Sequence, residues 1–85
     1  MKISELKKAT TINQVLAFFD SHKQDYINQH DYYRDGDFEH VRSHIKRGYL
    51  FANLYPQSRG KALNHAKQRV VSALGGTHKQ YTAFA

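Results

Sequence analysis

The chain has 85 residues and no cysteine, and its 13 lysines and arginines against seven acids give a net charge of +6 with the histidines neutral. This length allows one small domain, and the lack of cysteine excludes a disulfide framework, a thiolate metal site and a cysteine nucleophile. A hydrophobic fraction of 40% excludes a disordered chain of low hydropathy and high charge.

A short helix is predicted over residues 1–9, where Ile3, Leu6 and Ala9 recur at a spacing of three. The lysines of this segment are not followed by the apolar run of a signal peptide. The longest apolar run of the chain, residues 15–19, is far too short to span a bilayer. We therefore expect a soluble protein without a membrane partner, and the lack of cysteine favours a reducing compartment, the cytoplasm.

Helix A is predicted over residues 12–28, because apolar residues there recur at three and four and the preceding Thr10 and Thr11 are good N-caps. At about 100° per residue the apolar side chains fall on one stripe, as a surface helix needs in order to dock on a core. Phe18 lies at the edge of this stripe and either packs on a neighbouring helix or contacts a partner. The stripe consists of Ile12, Val15, Leu16, Phe19, Tyr26 and Ile27.

Residues 29–37, QHDYYRDGD, have the composition of a turn, with aspartates and a glycine that suit local hydrogen bonds and positive φ. Tyr32 and Tyr33 are predicted to cover the edge of the core, and with Arg34 they form a secondary contact surface for a partner. Asp37 is predicted to be the N-cap of the next helix, because an acid is favourable at the positive end of the helix dipole.

Helix B is predicted over residues 38–55 and is ended by Pro56. Gly48 lies inside it and either ends a first helix or stays helical where another backbone approaches closely. We favour one helix, bent at this glycine. Its apolar stripe consists of Phe38, Val41, Ile45, Tyr49 and Ala52.

Helix C is predicted over residues 59–74, with Ser58 as its N-cap and with Gly75 or Gly76 in the left-handed conformation at its end. One face of helix C is apolar and rich in alanine, so the helix can lie close to its neighbours. The predicted fold is therefore all-α, a compact three-helix bundle preceded by the short N-terminal helix.

The last residues of the chain are predicted to be a tail. Residues 77–85 have no helical period, and either Tyr81 and Phe84 fold back on the core or the segment is disordered. The sequence thus predicts a single helical domain over residues 1–76.

The positive charge is concentrated after residue 56. Residues 57–85 contain five lysines and arginines and no acid, whereas residues 1–56 contain eight basic and seven acidic residues. On the polar face of helix C, Lys61, His65 and Arg69 recur at a spacing of four. Such a face is either the solvated side of an amphipathic helix or a surface for a polyanion.

Nucleic-acid binding through residues 59–74 is the predicted function. Lysine and arginine neutralise phosphates, and asparagine, glutamine and arginine can reach base edges or sugar oxygens. The predicted binding residues are Arg59, Lys61, Asn64, His65, Lys67, Gln68 and Arg69.

The alternative is a protein-binding adaptor or inhibitor, of the small basic kind common among phage and plasmid products. It would dock a basic, tyrosine-rich surface on an acidic patch of a larger complex. Tyrosines that lie with helix C would favour nucleic acid or a shared interface, and tyrosines on the far side would favour a separate protein contact. A homodimer is a further alternative, through an apolar patch of Phe18, Leu50, Phe51 and Leu54.

No catalytic pattern accompanies these features, so we expect neither an enzyme nor a cofactor. The serines lie at caps and on polar faces, and SRGK is too short for a phosphate-binding loop. Asp37, His40 and His44 fall on one side of helix B, but nearby Arg42 and Arg47 oppose a cation, so no metal site is predicted. The two histidines could gain charge below neutral pH and extend the basic surface.

Overall fold

The computed structural model describes residues 2–29 and 35–85, apart from the side chains of residues 35, 36, 49, 51, 52 and 58. Within these ranges the protein is helical and has no strand, which confirms the predicted all-α class. The elements are α1 Ser4–Lys8, α2 Ile12–Ser21, α3 Lys23–Gln29, α4 Asp35–Leu54, a 3₁₀ turn Pro56–Ser58, α5 Arg59–Ala73 and α6 His78–Thr82. Tyr32, Tyr33 and Arg34, the predicted secondary contact, lie outside the described residues.

The predicted N-terminal helix and the start of helix A are confirmed. Leu6 of α1 is fully buried. The Oγ1 of Thr11 accepts the N–H of Gln14 at 3.2 Å, and the Gln14 Oε1 accepts in return the N–H of Thr10 at 2.6 Å. These bonds satisfy backbone donors that have no partner inside the first turn of α2.

The segment predicted as one helix A is two helices, so the count of three principal helices is not confirmed. The break between α2 and α3 falls at His22, whose backbone has φ −108° and ψ 19°. The Ser21 Oγ donates to the Phe18 carbonyl over 2.8 Å, and the His22 Nδ1 lies 2.8 Å from the same oxygen. Side chains that bond nearby backbone compete with the hydrogen bonds of the helix, and this accounts for the break. The apolar side chains of α2 and α3 still face the same side of the protein.

Helix α4 runs unbroken through Gly48, as the sequence analysis favoured. It begins at Asp35, so Asp37 lies in its first turn and the prediction that Asp37 is the N-cap is wrong. A methyl group at Gly48 would lie 3.4 Å from the Ile12 Cδ1 and 3.7 Å from the Ala62 carbonyl oxygen. The glycine therefore lies where α2 and α5 both approach α4.

Helix α5 closes with the predicted left-handed glycine. Gly75 has φ 72°, and the N–H of Gly76 donates to the Val71 carbonyl at 2.9 Å, which is the long bond of a Schellman motif. The Gln29 Nε2 donates to the carbonyl of Leu74. The end of α3 is thereby tied to the end of α5.

The C-terminal residues contain a helix that the sequence analysis did not predict. Helix α6 begins with a capping box, in which the Thr77 Oγ1 accepts the N–H of Gln80 at 3.1 Å and the Gln80 Oε1 accepts the N–H of Thr77 at 2.9 Å. Phe84 folds back and is buried in the core, whereas Tyr81, the other residue of that alternative, is 41% exposed. The packed unit thus continues past residue 76.

The core lies between α2, α4 and α5, and among the described elements α4 and α5 contact each other most extensively. Phe19 and Phe38 are buried in it and stack with ring centroids 4.5 Å apart. Phe18 is also buried, so it packs on neighbouring helices, the first of its two predicted roles, and is not exposed for contact with a partner. The helices therefore meet through the described residues of the predicted stripes, such as Phe38 and Ile45 of α4, and the polar faces of α4 and α5 remain outside.

Replacing Gly48 with alanine is expected to stabilise the protein by up to about 1 kcal/mol, because alanine is the better helix former and its methyl group fits at ordinary contact distance. Gly48→Leu is the matched contrast and is expected to cost about 1 to 3 kcal/mol by overpacking against α2 and α5. Urea denaturation followed by circular dichroism measures both. A destabilised Gly48→Ala would show that the helices approach too closely for any side chain.

Candidate nucleic-acid interface

A groove between α4 and α5 collects part of the predicted binding face. Its volume is about 490 Å³. We call it the α4–α5 groove, and it is lined by His44, Ile45, Arg47, Gly48, Lys61, Ala62, His65, Ala66 and Arg69. Ile45, Ala62 and Ala66 are buried, whereas Lys61 and Arg69 are exposed. The groove thus has an apolar floor and a basic rim.

Small residues bring the two helices together and so place the basic side chains. Ala62 and Ala66 are buried one turn apart on α5, and the Ala62 carbonyl faces Gly48 of α4. At 1.5 Å of rise per residue, Lys61 and Arg69 lie about 12 Å apart along the α5 axis. The rim therefore presents one charged or polar side chain from α5 about every 6 Å.

The charge of the groove has one sign. Among the described residues that line it there is no aspartate or glutamate, and α4 and α5 both contribute cations. The pKa of His44 is lowered, mainly by loss of water around the ring and then by the neighbouring Arg47, His40 and Arg69. Its ring therefore stays neutral at pH 7 while these neighbours repel a proton from it.

His44 and His40 lie one turn apart on α4, with their Nε2 atoms 3.1 Å apart and their rings nearly perpendicular. Beside them a second cavity is lined by both histidines, by Arg69 and by Asp37. Within residues 2–29 and 35–85, no group of three histidine, cysteine or acidic side chains is arranged to hold a metal ion. The pair is a polar extension of the α4–α5 groove.

The predicted binding residues of α5 do not all lie together. Lys61, His65 and Arg69 line the α4–α5 groove, and Gln68 joins His65 and Arg69 in an adjoining cavity. Arg59 is exposed at the first residue of α5, and Asn64 is partly buried. Neither Arg59 nor Asn64 lines the groove.

The structure places Lys67, one of the predicted binding residues, away from this face. It lies on the opposite side of α5 and is only 5% exposed. Its Nζ donates to the Lys7 carbonyl at 3.4 Å and lies 5.4 Å from the centroid of the Phe84 ring. Burial lowers the pKa of this ammonium group. Lys67 therefore links the end of α1 and the C-terminal residues to α5, and it does not supply charge to the binding face.

Sequence reasoning missed Arg47 and Tyr81 as parts of the surface. The sequence analysis names Arg47 only as a charge that opposes a metal ion, although Arg47 and His44 are three apart and share one face of α4. The charge of Arg42 in the same segment is used elsewhere, in a two-bond ion pair with Asp20 at 2.8 and 3.1 Å. A count of charges along the sequence does not distinguish Arg42 from Arg47, but the two arginines lie on different faces of α4.

Tyr81 lies with helix α5, in a cavity lined by His65, Gln68, Arg69 and Ser72. It is 41% exposed, whereas Tyr26 is buried in the core. Tyr55 is 49% exposed but does not line the groove or this cavity. The described tyrosine that accompanies the basic face is thus Tyr81, the arrangement expected for nucleic acid or a shared interface.

The apolar patch predicted for a homodimer is reduced. Phe18 is buried and is removed from it, and the side chain of Phe51 lies outside the described part. Leu50 and Leu54 are 62% and 72% exposed, one turn apart at the end of α4. Two leucines therefore remain as an exposed apolar feature.

No described helix combines the length and apolar character needed to cross a membrane. Comparison of the chain with protein-family models, with curated proteins and with solved structures finds no match. The α4–α5 groove and the cavity at Tyr81 share His65 and Arg69 and together form the candidate ligand-binding surface.

Replacing Lys67 with methionine is expected to leave the free energy of unfolding unchanged or to raise it, because methionine keeps the length of the side chain and removes a desolvated charge. Thermal unfolding measures this. Polyanion binding by the variant should equal that of the wild type. If the folded Lys67→Met protein binds less well than the wild type, Lys67 contributes to the binding surface after all.

Proposed function

We propose that the protein binds nucleic acid in the α4–α5 groove, without catalysis. The observation that supports this is the convergence of Arg47 from α4 with Lys61 and Arg69 from α5 on one groove whose described lining contains no acid. A surface of one sign raises the local concentration of a polyanion and neutralises its backbone charges. Binding in the cytoplasm, the location predicted from the composition, is part of the proposal.

The three cations act on phosphates in this proposal. Lys61 and Arg69 lie about 12 Å apart along α5, and a nucleic-acid strand in a duplex carries one phosphate per about 3.4 Å of axis, so several phosphates fall within their reach. Arg47 approaches from the facing helix. Contacts of this kind give affinity and orientation but do not read sequence.

The neutral polar residues of the surface make the closer contacts. His65 and Gln68 lie beside Arg69, in the groove or the adjoining cavity. Their donors and acceptors suit sugar oxygens and base edges. Arg59, the first residue of α5, adds to the surface only where the ligand extends past that end of the helix, and Asn64 is partly buried and lines no part of the groove.

The salt dependence of binding tests the proposal. Oligonucleotide affinity should fall as salt rises, and Lys61→Gln or Arg69→Gln should each lower the slope of log K against log salt by about 0.7 to 0.9, the value for one phosphate contact. Fluorescence anisotropy with a labelled oligonucleotide measures both quantities. Lys46→Gln is the matched control, because it removes the same charge from an exposed position of α4 outside the groove lining.

The outcome with the control separates a site from a general charge effect. If Lys46→Gln lowers the slope as much as Lys61→Gln, the net charge of the protein and not the groove carries the binding. If no oligonucleotide binds at low salt, nucleic-acid binding is overturned altogether.

Affinity should also rise as the pH falls through about 6.5 and below, by at most about tenfold per pH unit for one proton. In the free protein, loss of water around the ring and then the neighbouring Arg47, His40 and Arg69 keep the pKa of His44 low, and Asp37 is the one acid among the described residues that line the cavity beside the pair. A bound polyanion offsets this repulsion, so His44 takes up a proton on binding and lower pH favours the complex.

Replacing His44 with glutamine should reduce this pH dependence, and the measurement is anisotropy between pH 5.5 and 8 at constant ionic strength. His78→Gln is the control, because His78 is exposed on α6 outside the groove lining. Equal pH profiles for the wild type and His44→Gln would contradict the linkage.

The second candidate is an acidic protein surface as the ligand. The exposed Leu50 and Leu54 favour it, because they continue α4 beyond Arg47 and would add apolar contact to a charged interface. Poly-glutamate and an oligonucleotide of equal charge, compared at the same salt, distinguish the two. Tighter binding of poly-glutamate, weakened by Leu50→Ser with Leu54→Ser, would favour the protein ligand.

A further inference from the structure

We infer that the preferred ligand is a single strand, one base of which stacks on Tyr81 beside Arg69. This inference rests on nucleic-acid binding by the α4–α5 groove, and it names the class of nucleic acid.

The cavity at Tyr81 continues the α4–α5 groove. It has a volume of about 360 Å³ and is lined by His65, Gln68, Arg69, Ser72 and Tyr81. His65 and Arg69 line both the cavity and the groove. A strand whose phosphates lie along the groove therefore passes directly beside the tyrosine.

The chemistry of the cavity suits one unpaired base. Exposed aromatic side chains stack on bases of single strands, and a neighbouring arginine adds a cation–π contribution. Tyr81 is 41% exposed and lies with Arg69 in the cavity lining. Gln68 and Ser72 supply donors and acceptors for the edge of the base. A base inside a duplex is already stacked on both faces, so it cannot use this site without being unpaired.

The shape of the surface also favours a single strand. A helix that reads duplex DNA lies in the major groove, so it must project from the protein. The basic face of α5 does not project, because α4 borders it through His44 and Arg47 and α6 borders it through Tyr81. The result is a channel between flanking elements, and a single strand with splayed bases fits such a channel.

The test compares a single-stranded oligonucleotide of about 15 residues with its duplex, at the same low salt and with the full chain. We expect the single strand to bind at least tenfold more tightly. Tyr81→Leu should weaken single-strand binding about tenfold, as the loss of one base stack does, and Tyr81→Phe should restore it. Tyr55→Leu is the matched control, since Tyr55 is similarly exposed and lies outside the groove and cavity linings.

A spectroscopic measurement reports stacking separately from affinity. An oligonucleotide that carries 2-aminopurine should lose fluorescence on binding to the wild type and to Tyr81→Phe, and lose less on binding to Tyr81→Leu. Circular dichroism checks that each variant retains the helix content of the wild type, so that a weaker complex is not mistaken for unfolding.

The outcomes separate this inference from the proposed function. If duplex and single strand bind equally, or if a folded Tyr81→Leu binds and quenches like the wild type, the single-strand inference is overturned and groove binding stands. If neither form binds at low salt, the proposed function fails together with it.

Discussion

The close approach of α4 and α5 is the constraint on which the rest of the structure depends. It is made by residues with little or no side chain, Gly48 on α4 and Ala62 and Ala66 on α5. The longer side chains that flank this contact line its edges and form a basic rim. The same contact therefore contributes to the core and brings like charges together. The pKa of His44 is lowered there, first by loss of water around its ring and then by these neighbouring basic side chains.

The sequence predicted the helical class, the apolar stripes and the glycine stop of α5, because these follow from local periodicity and backbone preference. It did not predict the break at His22, since the break depends on two side chains that compete for the Phe18 carbonyl while the stripe continues. Helix α6 was missed because its first turn is held by the Thr77 and Gln80 capping box and not by an apolar pattern.

The candidate site was predictable on one helix only. Spacing along α5 places Lys61, His65 and Arg69 on one face, and the structure keeps them together. Arg47 and Tyr81 reach the same surface from other elements, and no periodicity within one helix relates them to α5. Lys67 was counted as a surface charge because lysine is seldom buried, yet here its stem and ammonium group lie under α1 and Phe84.

The contact of Lys67 with the Lys7 carbonyl spans 60 residues of sequence, so it also bears on the order in which the chain folds. Helix α1 has five residues, far fewer than a helix needs to persist alone in water. It packs mainly on α2, the next element along the chain, and Lys67 of α5 adds one contact from far along the sequence. During synthesis α1 can therefore pack on α2 early, whereas the contact with Lys67 forms only after most of the polypeptide has emerged.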